Sequence, residues 1–369
     1  MNKKSKLTIV VTSILVILLA NVVILELILS FFPVNEGLHA QETTYKNNVF
    51  RFEKNRTSVW SRGWNFDIVN TVHTNNDGFV NNKPYYKNGD KPLIAIIGDS
   101  YIEAAMVPFD NTVTGRLQEY LKEKYRVYSF AASGAGLAQY TRWMSYASDK
   151  YSPEKYIFNI IGNDFRESLW SLERNPGFYG FDRDDKLDYK MLLKEYKPSI
   201  IRRIFRHSSL VMYLMTNVKI TQFLNIKELL SNFLSDGARW DERYVGNIVR
   251  KSSKEVFAEQ IWAIDQFFKQ INKTKANKKD ITFVLDGFRP HMYSMSGKYN
   301  DYLTSEWGLL RKYFSDKAKE AGHKVVDLHV YFLEDYKINQ KHFESKTDTH
   351  WNGYGHKIVT NALIDTIQL

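Results

Sequence analysis

Five small or polar residues stand at positions where they could together carry out acyl transfer. Ser100 lies in the motif GDS, directly after the apolar run LIAII. Gly134 and Asn163 each follow a later apolar run, and Asp348 precedes His350 by two positions. An imidazole oriented by a carboxylate can take the proton of a serine hydroxyl, and small or amide donors can stabilise the resulting oxyanion. The residue types therefore indicate a serine nucleophile, an acid–base pair and an oxyanion hole.

Each of these residues also has an ordinary structural explanation. Ser100 could simply cap a helix, because serine is a preferred N-cap. Gly134 could be a turn glycine, and Asn163 could form an Asx-turn or cap a helix. A lone histidine such as His350 is commonly a satisfied surface or core residue. The catalytic interpretation is favoured because all of these residues occur together, each after a predicted strand or before a predicted helix.

Short apolar runs alternate with helical patterns along most of the chain beyond residue 91. The runs at 92–97, 126–131, 156–161, 280–285 and 324–328 predict strands. Apolar residues recur at helical spacing between most of them, which predicts a parallel sheet with helices on both faces. In open sheets of this kind, ligands bind outside the carboxyl ends of the strands, where the polar residues above are expected.

Four sequence blocks, taken in order, resemble the SGNH hydrolase superfamily, also called the GDSL-like hydrolases. GDS resembles the first block with Ser100, ASGAG the second with Gly134, GND the third with Asn163, and DTHWN the last with His350. The upstream stretch TNNDGFVN resembles the segment that precedes GDS in membrane-anchored bacterial members. The resemblance covers roughly residues 75–369.

This resemblance implies both a fold and a set of roles. The expected fold is a three-layer α/β/α, flavodoxin-like sandwich around a parallel sheet. Ser100 would be the nucleophile, with its backbone N–H, that of Gly134 and the Asn163 side chain forming the oxyanion hole. No metal or organic cofactor is implied.

The last block departs from the usual Asp-x-x-His spacing of the superfamily. Thr347 stands three positions before His350, and the carboxylate is at Asp348 instead. This Asp-x-His-Trp form resembles that of alginate-acetylation-type members, so we expect Asp348 to orient His350. His342 and His356 are local competitors, but His356 lies inside the predicted closing helix, where a packed residue is the preferred interpretation.

The N-terminus predicts a membrane anchor. Residues 7–25 carry no charge and span roughly 28 Å as a helix, close to the hydrocarbon thickness of a bilayer. Lys3, Lys4 and Lys6 precede the run, which favours a cytoplasmic N-terminus and a periplasmic or cell-surface catalytic domain. A cleaved signal peptide is the alternative, but its apolar core is usually shorter and ends in a small-residue cleavage site.

The anchor is expected to occupy 1–33, and the rest of the chain is expected to divide into two parts. Residues 34–90 form an extracytoplasmic lead-in segment, and 91–369 form the α/β domain with a helical insertion at about 165–253. The insertion is expected to be an extra packed helical pair, with a lid or a basic surface near anionic lipid or glycan as the alternative. Farther along, Arg289 and His291 follow a predicted strand and are candidates for substrate contact, although an ordinary loop is the competing interpretation.

Composition excludes some classes of site. The chain of 369 residues has no cysteine, which excludes disulfides, cysteine nucleophiles and thiolate metal sites. Its net charge of +10 comes from basic residues spread along the chain without a nucleic-acid-binding motif, so nucleic acid is not expected as a partner.

These patterns predict a serine-dependent ester hydrolase that acts on acyl esters of an extracytoplasmic glycan or lipid. The alternative is an O-acetyltransferase for a cell-envelope or exported polysaccharide, which would need a membrane partner to supply the acyl donor. A non-catalytic glycan-binding module is a third interpretation, which the complete set of catalytic residue types disfavours.

Overall fold

The structure, a computed structural model, describes most of the chain. The described residues are 3–184, 188–220, 252–274, 276–293 and 299–367. The strands in chain order are β1 (Thr57–Arg62), β2 (Ile68–His73), β3 (Leu93–Gly98), β4 (Arg126–Ala131), β5 (Lys155–Ile160), β6 (Tyr179–Asp184), β7 (Asp188–Leu193), β8 (Ile281–Leu285), β9 (Lys324–Asp327), β10 (Glu344–Ser345) and β11 (Asp348–Trp351).

Helices fill most of the remaining described residues. They are α1 (Lys3–Leu29), α2 (Ser100–Glu103), α3 (Val113–Tyr120), α4 (Leu137–Tyr151), α5 (Asp164–Glu167), α6 (Ile200–Phe205), α7 (Ser209–Met212), α8 (Lys254–Ile271), α9 (Arg289–Tyr293), α10 (Tyr299–Thr304), α11 (Glu306–Glu320), α12 (Leu328–Asn339) and α13 (Gly353–Ile367). Two 3₁₀ turns lie at Phe109–Asn111 and Lys278–Asp280, and a π turn lies at Tyr213–Asn217.

The central element is a five-stranded sheet with the strand order β4-β3-β5-β8-β9. All four pairings in this sheet are parallel. Every residue of β3 is buried, as expected for a central strand covered on both faces. This arrangement confirms the predicted parallel sheet.

Helices cover the sheet with two different packings. On one side, Ile94 and Ile96 share an apolar cluster with Leu117 of α3 and Val359 of α13. Elsewhere in the core, aromatic rings dominate: Phe158 of β5 packs against a ring of α8 at 5.7 Å, and β8 makes a similar contact with α11 at 5.2 Å. The flanking helices confirm the predicted α/β sandwich.

The chain forms two compact units. The N-terminal unit consists of the described parts of Met1–Leu38, Ser58–Thr71 and Pro198–Ser235. The sheet unit consists of the described parts of His39–Thr57, Val72–Lys197 and Asp236–Leu369. The predicted lead-in segment at 34–90 is therefore divided between the two units: 34–38 and 58–71 belong to the N-terminal unit, and 39–57 and 72–90 belong to the sheet unit.

The predicted insertion at 165–253 is not wholly helical. Strands β6 and β7 form an antiparallel hairpin within it, and Lys190 makes cross-strand ion pairs with Asp182 at 3.4 Å and Asp184 at 3.9 Å. Such opposite-charge pairs stabilise strand pairing, which explains why this charged stretch is not a helix. Helices α6 and α7 agree with the helical prediction, whereas residues 221–251 lie outside the described part of the chain.

Candidate active site

Ser100, His350 and Asp348 form one hydrogen-bonded chain. The Ser100 Oγ lies 2.7 Å from His350 Nε2, and His350 Nδ1 lies 2.5 Å from Asp348 Oδ1. The same Asp348 oxygen accepts the His350 backbone N–H at 2.9 Å. A carboxylate on Nδ1 leaves Nε2 free to accept the serine proton, which is the arrangement that general-base activation requires.

A single-turn helix presents the serine. Strand β3 ends at Gly98, and the Asp99 carboxylate caps α2 by accepting the backbone N–H of Tyr101 at 3.0 Å. Ser100 is therefore the first helical residue, at the positive end of the turn. The N-cap is Asp99, and not Ser100 as the sequence allowed. The Ser100 hydroxyl also lies 3.2 Å from Asp99 Oδ2, farther than from the imidazole.

A short antiparallel ribbon positions the acid–base pair. Asp348 and His350 lie on β11, which pairs with β10 through Glu344 and Trp351. The Tyr101 hydroxyl donates to the Thr349 carbonyl at 3.2 Å, which ties the ribbon to α2. The serine and its base are thus held by direct contact between their supporting elements.

Gly134 lies in a turn that only glycine adopts without strain. Its φ is +83°, and a Cβ atom there would lie 3.2 Å from the Asn175 amide nitrogen. The Gly134 carbonyl accepts that amide at 2.9 Å, which orients the peptide on one side of the residue. The glycine follows β4, which lies next to β3 in the sheet.

Asn163 follows β5, on the other side of β3. It occupies the N-cap position of α5 but its side chain makes no capping hydrogen bond, so the simple cap that the sequence allowed is not formed. Its buried Oδ1 accepts no hydrogen bond from the described residues. The Asn163 side chain lowers the pKa of the buried Glu167, although burial raises that pKa overall.

A buried glutamate on the nucleophile's own helix was not predicted from the sequence. Glu103 accepts the Ser133 backbone N–H at 2.7 Å and the Ser133 hydroxyl at 2.9 Å. It therefore holds Ser133, the residue immediately before Gly134. The signal in the sequence is weak: a single glutamate one turn after Ser100, in an otherwise apolar context, is all that distinguishes it.

Three buried carboxyl groups near the site have raised pKa values. Burial raises the pKa of Asp99 to about 6 and that of Glu103 to about 7. Burial, with the charge of Asp99, raises the pKa of Glu167 to about 8, although the Asn163 hydrogen bond opposes the shift. Desolvation disfavours the charged form of each acid, so their protonation changes across the neutral pH range.

The structure argues against the predicted substrate contact of Arg289. The guanidinium is fully buried and donates to the Tyr101 hydroxyl at 2.7 Å and to Asp286 at 3.2 Å. Asp286 also accepts the Trp351 indole N–H at 3.1 Å. Arg289 thus lies in the core, where its hydrogen bonds support the elements that carry Ser100 and His350. It is buried because segments that are distant in the sequence pack around it. The side chain of His291, the second predicted contact, lies outside the described part.

The two competing histidines do not contact Ser100. His356 is buried in α13 and its Nδ1 accepts the Val113 backbone N–H at 3.2 Å, while burial lowers its pKa to about 3. It is the packed helix residue that the sequence favoured. His342 instead contacts Glu344 at 3.1 Å.

A family model and several solved structures are similar to this chain. The sequence model described as GDSL-like Lipase/Acylhydrolase matches residues 94–363. No curated protein matches the chain. Among solved structures, an α/β hydrolase enzyme from the metagenome of Lake Arreo, Spain, is 12% identical, with 77% of this chain and 97% of that chain covered and a TM-score of 0.39.

Two further solved structures are similar at the same level. A member of the lipolytic protein G-D-S-L family from Veillonella parvula is 12% identical, covering 75% of this chain and 98% of its own, with a TM-score of 0.36. A carbohydrate acetylesterase family member from Sinorhizobium meliloti is 9% identical, covering 75% and 100%, with a TM-score of 0.36.

Proposed function

Because the chain belongs to the GDSL-like lipase/acylhydrolase family, we propose that it is a membrane-anchored serine esterase that cleaves acyl esters of an extracytoplasmic glycan or lipid. The observation that carries the proposal is the continuous contact from Ser100 Oγ through His350 to Asp348, at 2.7 and 2.5 Å. A serine that only capped a helix would not need an imidazole within hydrogen-bond distance of its hydroxyl.

The proposed reaction proceeds through an acyl-enzyme. His350 Nε2 takes the Ser100 proton as Oγ attacks the ester carbonyl, and Asp348 stabilises the imidazolium that forms. The oxyanion would be bound by the backbone N–H groups of Ser100 and Gly134 and by the Asn163 amide. His350 then returns the proton to the leaving alcohol, and it activates a water that hydrolyses the acyl-serine.

The proposed location follows from the N-terminal helix. Among the described residues, Ser5–Leu29 is the one segment long and apolar enough to cross a membrane. Lysines precede it, so the positive-inside rule would place the sheet unit outside the cytoplasm. Glu26, in the last turn of this helix, accepts hydrogen bonds from Ser209 and Leu210, which supports a helix that is retained rather than cleaved.

An O-acetyltransferase is a second candidate, favoured by one observation. The carboxylate that contacts His350 is two residues before it, in the Asp-x-His-Trp form that resembles alginate-acetylation-type members. The same acyl-enzyme would then pass its acetyl group to a sugar hydroxyl instead of water. This reaction needs a membrane partner that supplies the acyl donor, because one helix cannot move acetyl groups across a bilayer.

The proposal is tested with the full chain in detergent micelles. We expect hydrolysis of p-nitrophenyl acetate, and labelling of Ser100 by a fluorophosphonate, with both lost in Ser100→Ala. Equal rates in the two proteins, together with an unlabelled Ser100, would show that Ser100 is not the nucleophile.

Adding a glycan acceptor separates the two candidates. An esterase releases free acetate at an unchanged rate, whereas a transferase forms acetylated glycan and releases less acetate. Comparing acetyl esters with long-chain acyl esters as donors then distinguishes a glycan ester from a lipid as the natural substrate.

A further inference from the structure

Hydrogen bonds inside the N-terminal unit join the end of its apolar helix to a later segment. The Glu26 carboxylate accepts the Ser208 hydroxyl at 2.7 Å and the backbone N–H groups of Ser209 and Leu210 at 2.6 and 2.9 Å. These are the unsatisfied donors at the start of α7, so Glu26 caps that helix. The chain just before α7 is therefore held beside the last turn of α1.

Aromatic and amide contacts complete this junction. Phe32 stacks on Phe66 with ring centroids 5.6 Å apart, and the Tyr213 hydroxyl donates to the Trp64 carbonyl at 2.6 Å. Asn217 donates to the Ser61 hydroxyl at 2.8 Å. The three chain segments of the unit thus meet where α1 ends.

Helix α6, directly before this junction, is amphipathic. At about 100° per residue, Ile200, Ile201, Ile204 and Phe205 fall within an arc of about 140°. Arg202, Arg203 and Arg206 fall within the opposite arc of about 100°. The described part of the chain leaves these four apolar side chains more than half exposed to solvent. A soluble helix normally turns such an arc toward a core.

Other large apolar side chains of the same unit are similarly exposed. Phe31, two residues beyond α1, is 87% exposed, and Trp64 is 72% exposed. Aromatic residues at the end of an apolar span, next to arginines, are typical of the water–membrane interface. A helix with an apolar arc and a cationic arc is typical of segments that lie in the plane of that interface.

We propose that α6 lies in the interface of the membrane that α1 crosses, with its apolar arc in the acyl boundary and its arginines on anionic lipid headgroups. The inference rests on the proposed membrane span of α1. The occupant of the apolar arc is the bilayer because the junction at Glu26 holds this segment at the end of the span, and because the arginines complement anionic headgroups. The N-terminal unit is then attached to the membrane at two places.

The absence of cysteine permits a direct test with the full chain. Single-cysteine variants carry an environment-sensitive fluorophore at Phe205→Cys, at Leu15→Cys within α1, and at two exposed sites of the sheet unit, Ile338→Cys and Tyr120→Cys. The proteins are reconstituted in vesicles of phosphatidylcholine with 30% phosphatidylglycerol, with and without brominated lipid. We expect at least twofold quenching by bromolipid at residues 15 and 205, and no quenching at the two sheet-unit sites.

The outcomes distinguish a failure of this inference from a failure of the proposed membrane span. Quenching at residue 15 but not at 205 would overturn the interfacial position of α6 while leaving the span intact. A label at 205 that is shielded from aqueous iodide but not quenched by bromolipid would show that another protein segment covers the arc, which also overturns the proposal. Absence of quenching at residue 15 would overturn the span itself, and with it the premise of the inference.

The role of the arginines is tested in the Phe205→Cys background. R202Q/R203Q/R206Q should reduce the bromolipid quenching at least twofold in vesicles that contain phosphatidylglycerol. The control K46Q/K54Q/K87Q removes the same charge from exposed positions of the sheet unit and should leave the quenching unchanged. Both triple variants should hydrolyse p-nitrophenyl acetate in detergent within twofold of the parent rate. Equal quenching in the two triple variants would overturn the contact with anionic headgroups.

Discussion

Two buried acids near Ser100, Asp348 and Glu103, contact different parts of the candidate site. Asp348 contacts the imidazole that would remove the serine proton. Glu103 contacts the backbone N–H and the hydroxyl of Ser133, directly before Gly134. In the proposed mechanism, Asp348 orients the base, and Glu103 orients the loop that would stabilise the developing negative charge.

The difference lies in what each acid binds. Asp348 faces a ring that becomes positively charged during the reaction, so its own charge is useful in the transition state. Glu103 faces neutral donors in a fully buried position, and burial raises its pKa to about 7. An acid whose pKa lies near 7 changes its charge in the neutral range, so the support of Ser133 by Glu103 should depend on pH there.

The largest effect is expected on the side of the base. Asp348→Asn should lower kcat for p-nitrophenyl acetate by about 10³–10⁴-fold, because an amide can favour the wrong imidazole tautomer and cannot stabilise the imidazolium. Steady-state kinetics at pH 8 measure the effect. Thr347→Ala is the matched control, because Thr347 occupies the usual position of the acid, and its rate should stay within twofold of wild type. A wild-type rate for Asp348→Asn would show that the orienting carboxylate lies elsewhere.

On the oxyanion side, Gly134→Ala should lower kcat about 10²-fold. The methyl group would be placed in a backbone conformation with φ +83° and would lie 3.2 Å from the Asn175 amide, so the Gly134 N–H should move away from the oxyanion. Gly322→Ala, at a turn with φ +85° that is distant in sequence from the catalytic residues, controls for the general cost of such a substitution. Equal kcat values for Gly134→Ala and wild type would show that Gly134 does not contribute to the oxyanion hole.

The sequence predicts the role of Asp348 much better than that of Glu103. Asp348 is two residues from His350, so the pair is visible in a single short block. Glu103 acts on Ser133, 30 residues away, and only the parallel pairing of β3 with β4 brings them together. A lone glutamate in a one-turn helix has no periodic pattern that marks it as buried.

Burial also explains the expectations that the structure changed. Arg289 follows a strand, which predicted an accessible loop, but Tyr101 and Asp286 enclose its guanidinium in the core. The parallel sheet was predictable because strands buried on both faces are continuously apolar. The hairpin of β6 and β7 was not, because its stability comes from cross-strand pairs that a search for helical spacing does not consider.

A smaller effect on kcat, which depends on pH, is expected when Glu103 is replaced. Glu103→Gln should lower kcat about tenfold at pH 8, because a neutral amide is a weaker acceptor than a carboxylate for the two Ser133 donors. The ratio of the wild-type rate to the variant rate should shrink as the pH falls through about 7, where the wild-type acid becomes protonated. Asn175→Ala loosens the other side of Gly134 without removing a titrating group, so its ratio should not change with pH. A ratio for Glu103→Gln that is also constant from pH 5.5 to 8.5 would contradict the proposed role of the Glu103 charge.

The smallest expected effect is on stability, and its sign follows from the same pKa. Glu103 has a pKa raised from its ordinary value of 4.5 to about 7, so the folded protein binds this proton more tightly than the unfolded chain does. The stabilisation from proton binding is complete below pH 4.5 and is lost as the pH rises through 7. Glu103→Gln has no titrating group at this position, so its stability does not fall in this way as the pH rises. The Tm of the variant minus that of wild type should therefore increase by on the order of 2 °C between pH 4.5 and 8. In Glu119→Gln the sign should be opposite and the change smaller, because Lys122 lowers the pKa of that fully exposed carboxyl. If the Tm difference for Glu103→Gln instead fell with rising pH, the fold would stabilise the charged form of Glu103, which contradicts a raised pKa.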